Sequence, residues 1–461
     1  MNHTKPKPSR LSGRRTFFKK MSGLAVAGMT ALSYRRVMGA NERVRLALIG
    51  CGGRGEWVAR GFVEDGHEFA HLVDPCDSHA QRVGEILQEQ QNLKPGLGKT
   101  ALAAMQDSSV DAVVIATPDH WHALLFLQAC MAEKDIYLEK PQSHNIHEGR
   151  LMVQAAKKYN RIVQIGAQNR SAPYNFAARD VVQSGNLGDI RLVKVYHMKP
   201  NASFHERNQP YSLANPEPSP DDLDWNLWLG PAPYREYHQN IFHHYGWTAF
   251  WDFSVGDLND GIHQIDLSMM LMGEPDPPVA VSSMGHRLHF RGDDAQPPDV
   301  MMTSFDFRDF ILSLHVTGYP RYMQKTTTTI RRNDEFPYWT QNATRIELYG
   351  SRELMIVGRM GGGWITMTSG GKVVEKMFGR FPDEPHRKNF IECLKSRSRP
   401  NGEIETMNNS TNLVHLANIA HRVGNMSLTW DGDLERFVDN DAANELLQRS
   451  YRPPFVLPKI L

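Results

Sequence analysis

A short apolar run, Val44 to Ile49, passes directly into Gly50-Cys51-Gly52-Gly53-Arg54-Gly55, and no other stretch limits the fold of this chain so strongly. A β-favouring run that ends in glycines is how a buried parallel strand finishes. The glycine spacing is G-x-G-x-x-G, in which Gly50 allows a tight turn, Gly52 lets backbone approach a pyrophosphate, and Gly55 lets a helix pack close on the strand. Alone, that pattern is weak evidence, and its context decides. A helical pattern follows from about Arg54 to Glu64, a second strand spans Glu68 to Val73, and Asp74 closes it at the spacing of the ribose-binding acid. The phosphates are expected on the helix N-terminus, beside Gly53 and Arg54. Asp74 would accept both ribose hydroxyls and repel a 2′-phosphate, so the expected cofactor is NAD, with NADP the minor alternative that Arg54 leaves open.

The alternation continues through a helix at Ser78 to Gln90, a strand at Val110 to Ala116, a helix at Trp121 to Ala132, a strand at Ile136 to Leu138, a helix at Ile146 to Lys158 and a strand at Ile162 to Ile165. Such a series makes a parallel sheet with helices on both faces. Asn92 to Lys99 holds two glycines and a proline where an edge strand is due, so that strand is expected to be short or absent. Beyond Gly166 longer strands appear, at Ile190 to His197, Met301 to Phe307, Phe310 to Thr317 and Thr344 to Tyr349, and late helices at Arg387 to Lys395 and Ser410 to Arg422. The expected class is α/β: an N-terminal Rossmann domain over 41–166, then a C-terminal α+β domain over 167–461 built on a large, mostly antiparallel open sheet. A chain of 461 residues exceeds the roughly 250 to 300 at which single cores stop growing, in keeping with two domains. A net charge of +1 offers no field to gather nucleic acid. Four scattered cysteines, without a C-x-x-C pair, read as buried thiols.

Residues 1–40 differ in kind. Ser12-Gly13-Arg14-Arg15-Thr16-Phe17-Phe18-Lys19 precedes an apolar stretch, Met21 to Tyr34, that is shorter than the ~20 residues of a membrane-spanning helix. This reads as a twin-arginine export signal, which implies a periplasmic or extracytoplasmic protein exported already folded. Arg35 and Arg36 follow the apolar run, and neither Ala31-Leu32-Ser33 nor Met38-Gly39-Ala40 is a clean cleavage site, which leaves a retained anchor open.

Two constellations carry candidate chemistry. In Leu138-Glu139-Lys140-Pro141 a strand ends in a lysine at the sheet edge where open α/β sheets bind ligands. Partial burial beside a cationic ring would lower its pKa and suit it to proton transfer. In Gly256-Asp257-Leu258-Asn259-Asp260-Gly261-Ile262-His263-Gln264-Ile265-Asp266, a helix from Asn259 onward puts Asn259, His263 and Asp266 on one face, with Asp257 or Asn259 as the cap and Asp260 out of phase. His263 suits a general base. A metal site at His243-His244 or at His120 with His122 has no acid partner at a known ligand spacing, so no metal is expected.

These motifs, taken with Ala116-Thr117-Pro118-Asp119-His120-Trp121-His122 and Gln164-Ile165-Gly166-Ala167-Gln168-Asn169-Arg170, resemble the Gfo/Idh/MocA family of sugar and polyol oxidoreductases from about Arg43 to Gly424. Leu223-Asp224-Trp225-Asn226-Leu227-Trp228-Leu229-Gly230-Pro231-Ala232-Pro233 further resembles its exported branch. The resemblance implies that Lys140 and His263 meet over the nicotinamide, with Glu139, Thr117, Pro118 and His122 at the cofactor, Arg170, Asp257 and Trp251 at the substrate, and a homo-oligomer, dimer or tetramer, formed through the open sheet. Many members carry an aspartate four residues before the histidine. Asn259 stands there instead, and an amide cannot accept a proton, so it is left an orienting role. The implied reaction is hydride transfer from a secondary alcohol of a sugar, polyol or glycoside to NAD. Two alternatives stand beside it: a redox-neutral glycosidase or lyase working through a transient keto-sugar, and a non-catalytic sugar-binding protein that retains the cofactor. Aromatic residues between Trp225 and Phe253 would pack in the second domain, with one or two touching substrate.

Overall fold

In this computed structural model residues 43–198, 210–243 and 245–460 are described; the signal expected at 1–40 lies outside them, as does His244. Strands β1 (Arg45–Ile49), β2 (Glu68–Val73), β3 (Gly96–Gly98), β4 (Ala112–Ile115), β5 (Asp135–Leu138) and β6 (Val163–Ile165) form one parallel sheet in the order β3-β2-β1-β4-β5-β6. The order reverses between β1 and β4, which opens a crevice at their C-terminal ends. β4 and β5 are buried residue for residue, as strands covered on both faces must be. The edge strand β3 is present but spans three exposed residues. Helix His122–Met131 follows a single 3-10 turn at Asp119–Trp121, so the motif begins one turn before the α-helix. Asn145 caps helix Ile146–Lys158 by accepting from the Glu148 N–H at 2.9 Å.

The second sheet holds ten strands: β7 (Ile190–His197), β8 (Ala280–His286), β9 (Val300–Asp306), β10 (Ile311–Thr317), β11 (Arg345–Gly350), β12 (Leu354–Gly358), β13 (Trp364–Met367), β14 (Val373–Met377), β15 (Ser427–Asp431) and β16 (Arg436–Phe437). Its pairs are antiparallel except β7 with β10. Residues alternate between buried and exposed along β8 and β9, the signature of a sheet with one covered face. The covered face packs on helices Pro173–Gln183, Leu258–Leu271 and Ile404–Arg422, whose apolar residues join those of the strands in one core. The other face leaves Met284, Met302 and Ile311 exposed. All four cysteines are free and buried. Among the described residues no helix is long and apolar enough to cross a membrane.

Chain order and packing part company near the end. Helix Asp383–Ser396 returns to the Rossmann half, where Asp383 accepts from the Trp57 indole at 2.6 Å and Arg387 pairs with Asp65 at 2.7 Å. Residues 449–452 bridge the Rossmann half and the segment 226–232. The Arg449 guanidinium reaches the buried Glu148 carboxylate at 2.8 Å, and Arg452 donates to the backbone carbonyls of Asn226, Gly230 and Ala232.

Burial of histidine carries a thermodynamic consequence. His120 and His415 are pushed down to about 3 and His386 to about 4 by burial, while His144 and His263 also lie well below the usual range. These rings stay neutral in the fold, whereas the unfolded chain takes up a proton at each below about pH 6.5. Stability is therefore complete above that value and falls as the pH drops from 6.5 toward 4, by about 1.4 kcal/mol per pH unit for each such ring. We expect the melting temperature to fall steeply between pH 7 and pH 5; a flat profile would mean the rings are solvated or paired.

Candidate active site

A cavity of about 850 Å³ opens at the crevice between β1 and β4 and runs on beneath helix Leu258–Leu271. One end is the glycine turn. Gly50 has φ +96°, and a methyl group on Gly55 would meet the Gly50 carbonyl oxygen at 1.9 Å, so helix and strand touch there as only glycine permits. Gly52 and Gly53 face the cavity, and a Cβ added to either would meet nothing within 4 Å. They form an open cradle at a helix N-terminus, and a pyrophosphate fits it. Asp74 lines the same end, its carboxylate accepting from the Cys51 N–H at 2.7 Å and the Cys76 N–H at 2.9 Å. Nearby, Arg82 pairs with Glu56, and Lys99 lies 3.1 Å from Asp77. Arg54 turns to Glu139 at 2.8 Å and Asp383 at 3.6 Å; burial opposes its charge, but the two carboxylates hold it above the usual range.

At the other end Lys140 and His263 line one wall together. Lys140 Nζ donates to the Asn259 carbonyl at 2.9 Å and to Asn259 Oδ1 at 2.8 Å. Asn259 Nδ2 in turn donates to Asp119 Oδ1 at 2.7 Å, and the other oxygen of Asp119 accepts from the Ser254 hydroxyl at 2.9 Å. Asp119 is 1 % exposed. Its carboxyl is raised by burial against the opposing pull of His122, Asn259 and Lys140. Burial likewise lowers Lys140, although Asp260, Glu139 and Asp119 draw it back up. His263 falls well below the usual range through burial first and then Arg359 and Lys140.

Several expected positions require correction. His122 does not line the cavity: it is fully buried, with its ring nitrogens 2.8 Å from the Pro141 carbonyl and 3.0 Å from that of Thr117, and so braces the two loops that do. Arg170 is spent on a buried ion pair with Asp266 at 2.7 Å and a second with Glu274, away from the cavity. Asp257 flanks the start of helix Leu258–Leu271, makes no side-chain cap, and lies outside the cavity lining, as does Trp251, whose ring packs under Arg422. Asp266 and Asn259 do not orient His263, because each has a stronger partner in Arg170 or Lys140. Asp260, expected to point elsewhere, lines the cavity, with an oxygen 3.9 Å from His263 Nε2 and both oxygens on Arg359 at 2.6 and 3.0 Å. Positions i and i+3 share a helix face as closely as i and i+4 do.

Asp119, Arg331, Arg359 and the tail residues Pro454 to Val456 also line the cavity without having been singled out. Asp119 had a signal, its place inside Thr117-Pro118-Asp119-His120. Arg331, Arg359 and the tail had none, since each reaches the site by tertiary packing. Of the aromatic stretch, Trp228, Phe242, Tyr245 and Trp247 reach the lining. His120 lies among Trp121, Trp228 and Phe253, and among the described residues no group of three or more His, Cys, Asp or Glu side chains is arranged to hold a metal ion.

A reversed parallel sheet with a glycine cradle, joined to an open antiparallel sheet that supplies the far wall of the cleft, defines a two-domain dinucleotide-binding protein. The chain belongs to the Gfo/Idh/MocA oxidoreductase family: residues 44–167 match its NAD-binding Rossmann fold, and residues 177–293 and 343–457 match its C-terminal alpha/beta domain. It is 30 % identical over 162 residues to an inositol 2-dehydrogenase of Rubrobacter xylanophilus, covering 34 % of this chain and 45 % of that protein. Against the scyllo-inositol 2-dehydrogenase (NAD(+)) of Bacillus subtilis identity is 26 %, covering 32 % of this chain and 42 % of the relative. The matched region thus spans under half of each of these curated relatives. The fold is also that of the WlbA dehydrogenase from Bordetella pertussis, solved with NADH and UDP-GlcNAcA, with a TM-score of 0.59 at 17 % identity over 84 % of this chain and 99 % of that one.

The glycines separate fold from ligand. Gly55→Ala drives a methyl into backbone and is expected to cost ~1–3 kcal/mol or more of stability. Gly52→Ala meets open space and is expected to leave the melting temperature of the cofactor-free protein unchanged while weakening NAD binding, measured by titration calorimetry. Equal affinities for Gly52→Ala and the parent protein would remove the pyrophosphate from this cradle.

Proposed function

We propose that this chain is a NAD-dependent oxidoreductase that oxidises a secondary alcohol of a sugar, polyol or glycoside. The observation that carries this reading is one cavity with the glycine cradle and Asp74 at one end and Lys140 and His263 at the other. When bound, NAD supplies the hydride acceptor. Gly50, Gly52, Gly53 and the N-terminus of helix Gly53–Glu64 would hold its phosphates, and Asp74 a ribose. NAD is favoured over NADP because a carboxylate faces that ribose while Arg82 and Lys99 are engaged by Glu56 and Asp77. The names of the curated relatives favour a polyol or sugar ring.

The proton is the protein's task. An ammonium has three N–H bonds; two of Lys140's are aimed at Asn259, which leaves one position for a substrate oxygen. In oxidation Lys140 starts unprotonated and takes the hydroxyl proton; in reduction it returns it. His263 is held neutral by burial and is able to hydrogen-bond the same hydroxyl. Asn259 and Asp119 are positioning residues that fix the amine. Two further proposals accompany this one: export of the folded protein by the twin-arginine route, supported by Arg14, Arg15 and the apolar run after them, and self-association through the open face of the second sheet, supported by exposed Met284, Met302 and Ile311.

Lys140→Met is expected to lower NADH formation ~10²–10⁴-fold on an active sugar or polyol while NAD remains bound. In the parent protein the oxidation rate should rise with pH through a midpoint below lysine's ordinary 10.5, since burial favours the neutral amine; that rise should vanish in the variant. Unchanged NADH production would remove Lys140 from the mechanism. Turnover of substrate with no net NADH would contradict the oxidoreductase reading itself.

A further inference from the structure

Past His263 the cavity wall is built from segments that connect the strands of the second sheet. Arg359 follows β12, Arg331 is the penultimate residue of the short helix Thr328–Arg332, and Phe381 precedes the helix that returns to the Rossmann half; all three line the cavity, as does Lys325. Arg359 spends its charge on Asp260 through a two-pronged pair. The backbone at Arg331 is held by its neighbours. Its carbonyl accepts from the Phe381 N–H at 2.8 Å, and its Cα would lie 3.1 Å from a Cβ on Gly361. Gly361, Gly362 and Gly363 all have positive φ, a conformation that glycine adopts without strain, and Gly361 is the one that lies close against the helix backbone.

The side chain is a different matter. Among the described residues, Arg331 Nε and Nη2 are buried with no hydrogen-bond partner, and the guanidinium carbon lies 5.8 Å from the Phe381 ring centre. Burial and then Arg359 push this guanidinium down to about 10, although Asp260 and Asp383 oppose them. The residue as a whole is only partly buried, so the guanidinium reaches the cavity while two of its donor nitrogens, cut off from water, have no acceptor, an arrangement that a ligand oxygen would complete.

We propose that Arg331 recognises an anionic oxygen group on the substrate, a carboxylate or a phosphate or sulfate ester, so that the enzyme acts on an acidic sugar or polyol in preference to a neutral one. This rests on the oxidoreductase reading of the cavity. The reacting hydroxyl lies at Lys140 and the anionic group across the cavity at Arg331, which orients the ring by two fixed points. A guanidinium suits that task because it stays charged and its planar donors match planar or tetrahedral oxyanions. A neutral polyol would leave it unanswered.

The test uses the NAD-loaded protein and matched probes: glucose with glucuronate and glucose 6-phosphate, and galactose with galacturonate and galactose 6-phosphate. Binding is read by calorimetry and turnover by NADH absorbance. We expect an acid-over-neutral preference on the order of tenfold to a hundredfold in at least one set, as for hydrogen bonds to charged groups. That preference should fall to about one in Arg331→Met and survive in part in Arg331→Lys. Whether the carboxylate or the phosphate probe shows it names the group. Arg331→Met should melt no lower than the parent protein, because the change removes two buried donor nitrogens that have no acceptor; a purely structural arginine would lower it. No acid preference in the parent protein, or an equal preference in Arg331→Met, overturns the proposal. So does a loss of NAD affinity in Arg331→Met with the acid preference intact, which would assign the guanidinium to the cofactor. Acid binding that depends on Arg331 without NADH formation would instead leave the subsite standing and remove the oxidoreductase reading.

Discussion

Helix Leu258–Leu271 is the constraint on which the rest of the molecule turns. Every residue of it except Asp260 is buried, although it carries Asn259, His263, Gln264, Asp266 and Ser268. Buried polar groups must find partners, and this helix finds many of its own in the Rossmann half and the turn that directly follows β6. Asn259 meets Lys140 from the end of β5 and Asp119 from the loop after β4; Asp266 meets Arg170 from the loop after β6; the His263 carbonyl accepts from Asn169 at 3.1 Å. The two sheets are thus registered by a row of hydrogen bonds and one buried ion pair. The cavity is the space this registration leaves at the topological switch point.

The same burial sets the chemistry. Water exclusion lowers Lys140 and His263 and raises Asp119, so each group moves toward its neutral form at the place where the proposed oxidation would move a proton. Asn259 has a defined role in this arrangement. An amide there accepts a hydrogen bond from Lys140 without adding a negative charge, which leaves the lysine more readily deprotonated than a carboxylate at that position would. Asp119 lies one bond further back and fixes which way the amide faces.

Local signals made the N-terminal half legible. β2 and helix Ile146–Lys158 fall where the residue pattern puts them, because strand and helix periods alternate there and each element is bounded by glycine or a cap. The family motifs brought Lys140, Asn259 and His263 together for the same reason. Legibility ended where partners come from far along the chain. Arg170 looked available until Asp266 and Glu274 were seen to hold it, and His122 until both its nitrogens met backbone carbonyls. Asp260 reaches the cavity because it lies one helical turn, i to i+3, before His263, a spacing that a strict i to i+4 phase does not register. Strands β12 to β14 have no pattern strong enough to single them out, and the route by which 359 and 331 enter the cavity exists only after those strands pair.

The central claim is that one cavity holds NAD with its reacting ring between Lys140 and His263. A crystal structure of the protein with NAD tests it most directly. The expected result is the pyrophosphate on Gly52 and Gly53 and the nicotinamide beside Lys140, with room for a substrate hydroxyl within ~3.5 Å of the ring, the separation at which transfer becomes feasible. A dinucleotide bound with its adenine at that end, or a nicotinamide out of reach of Lys140, would contradict it.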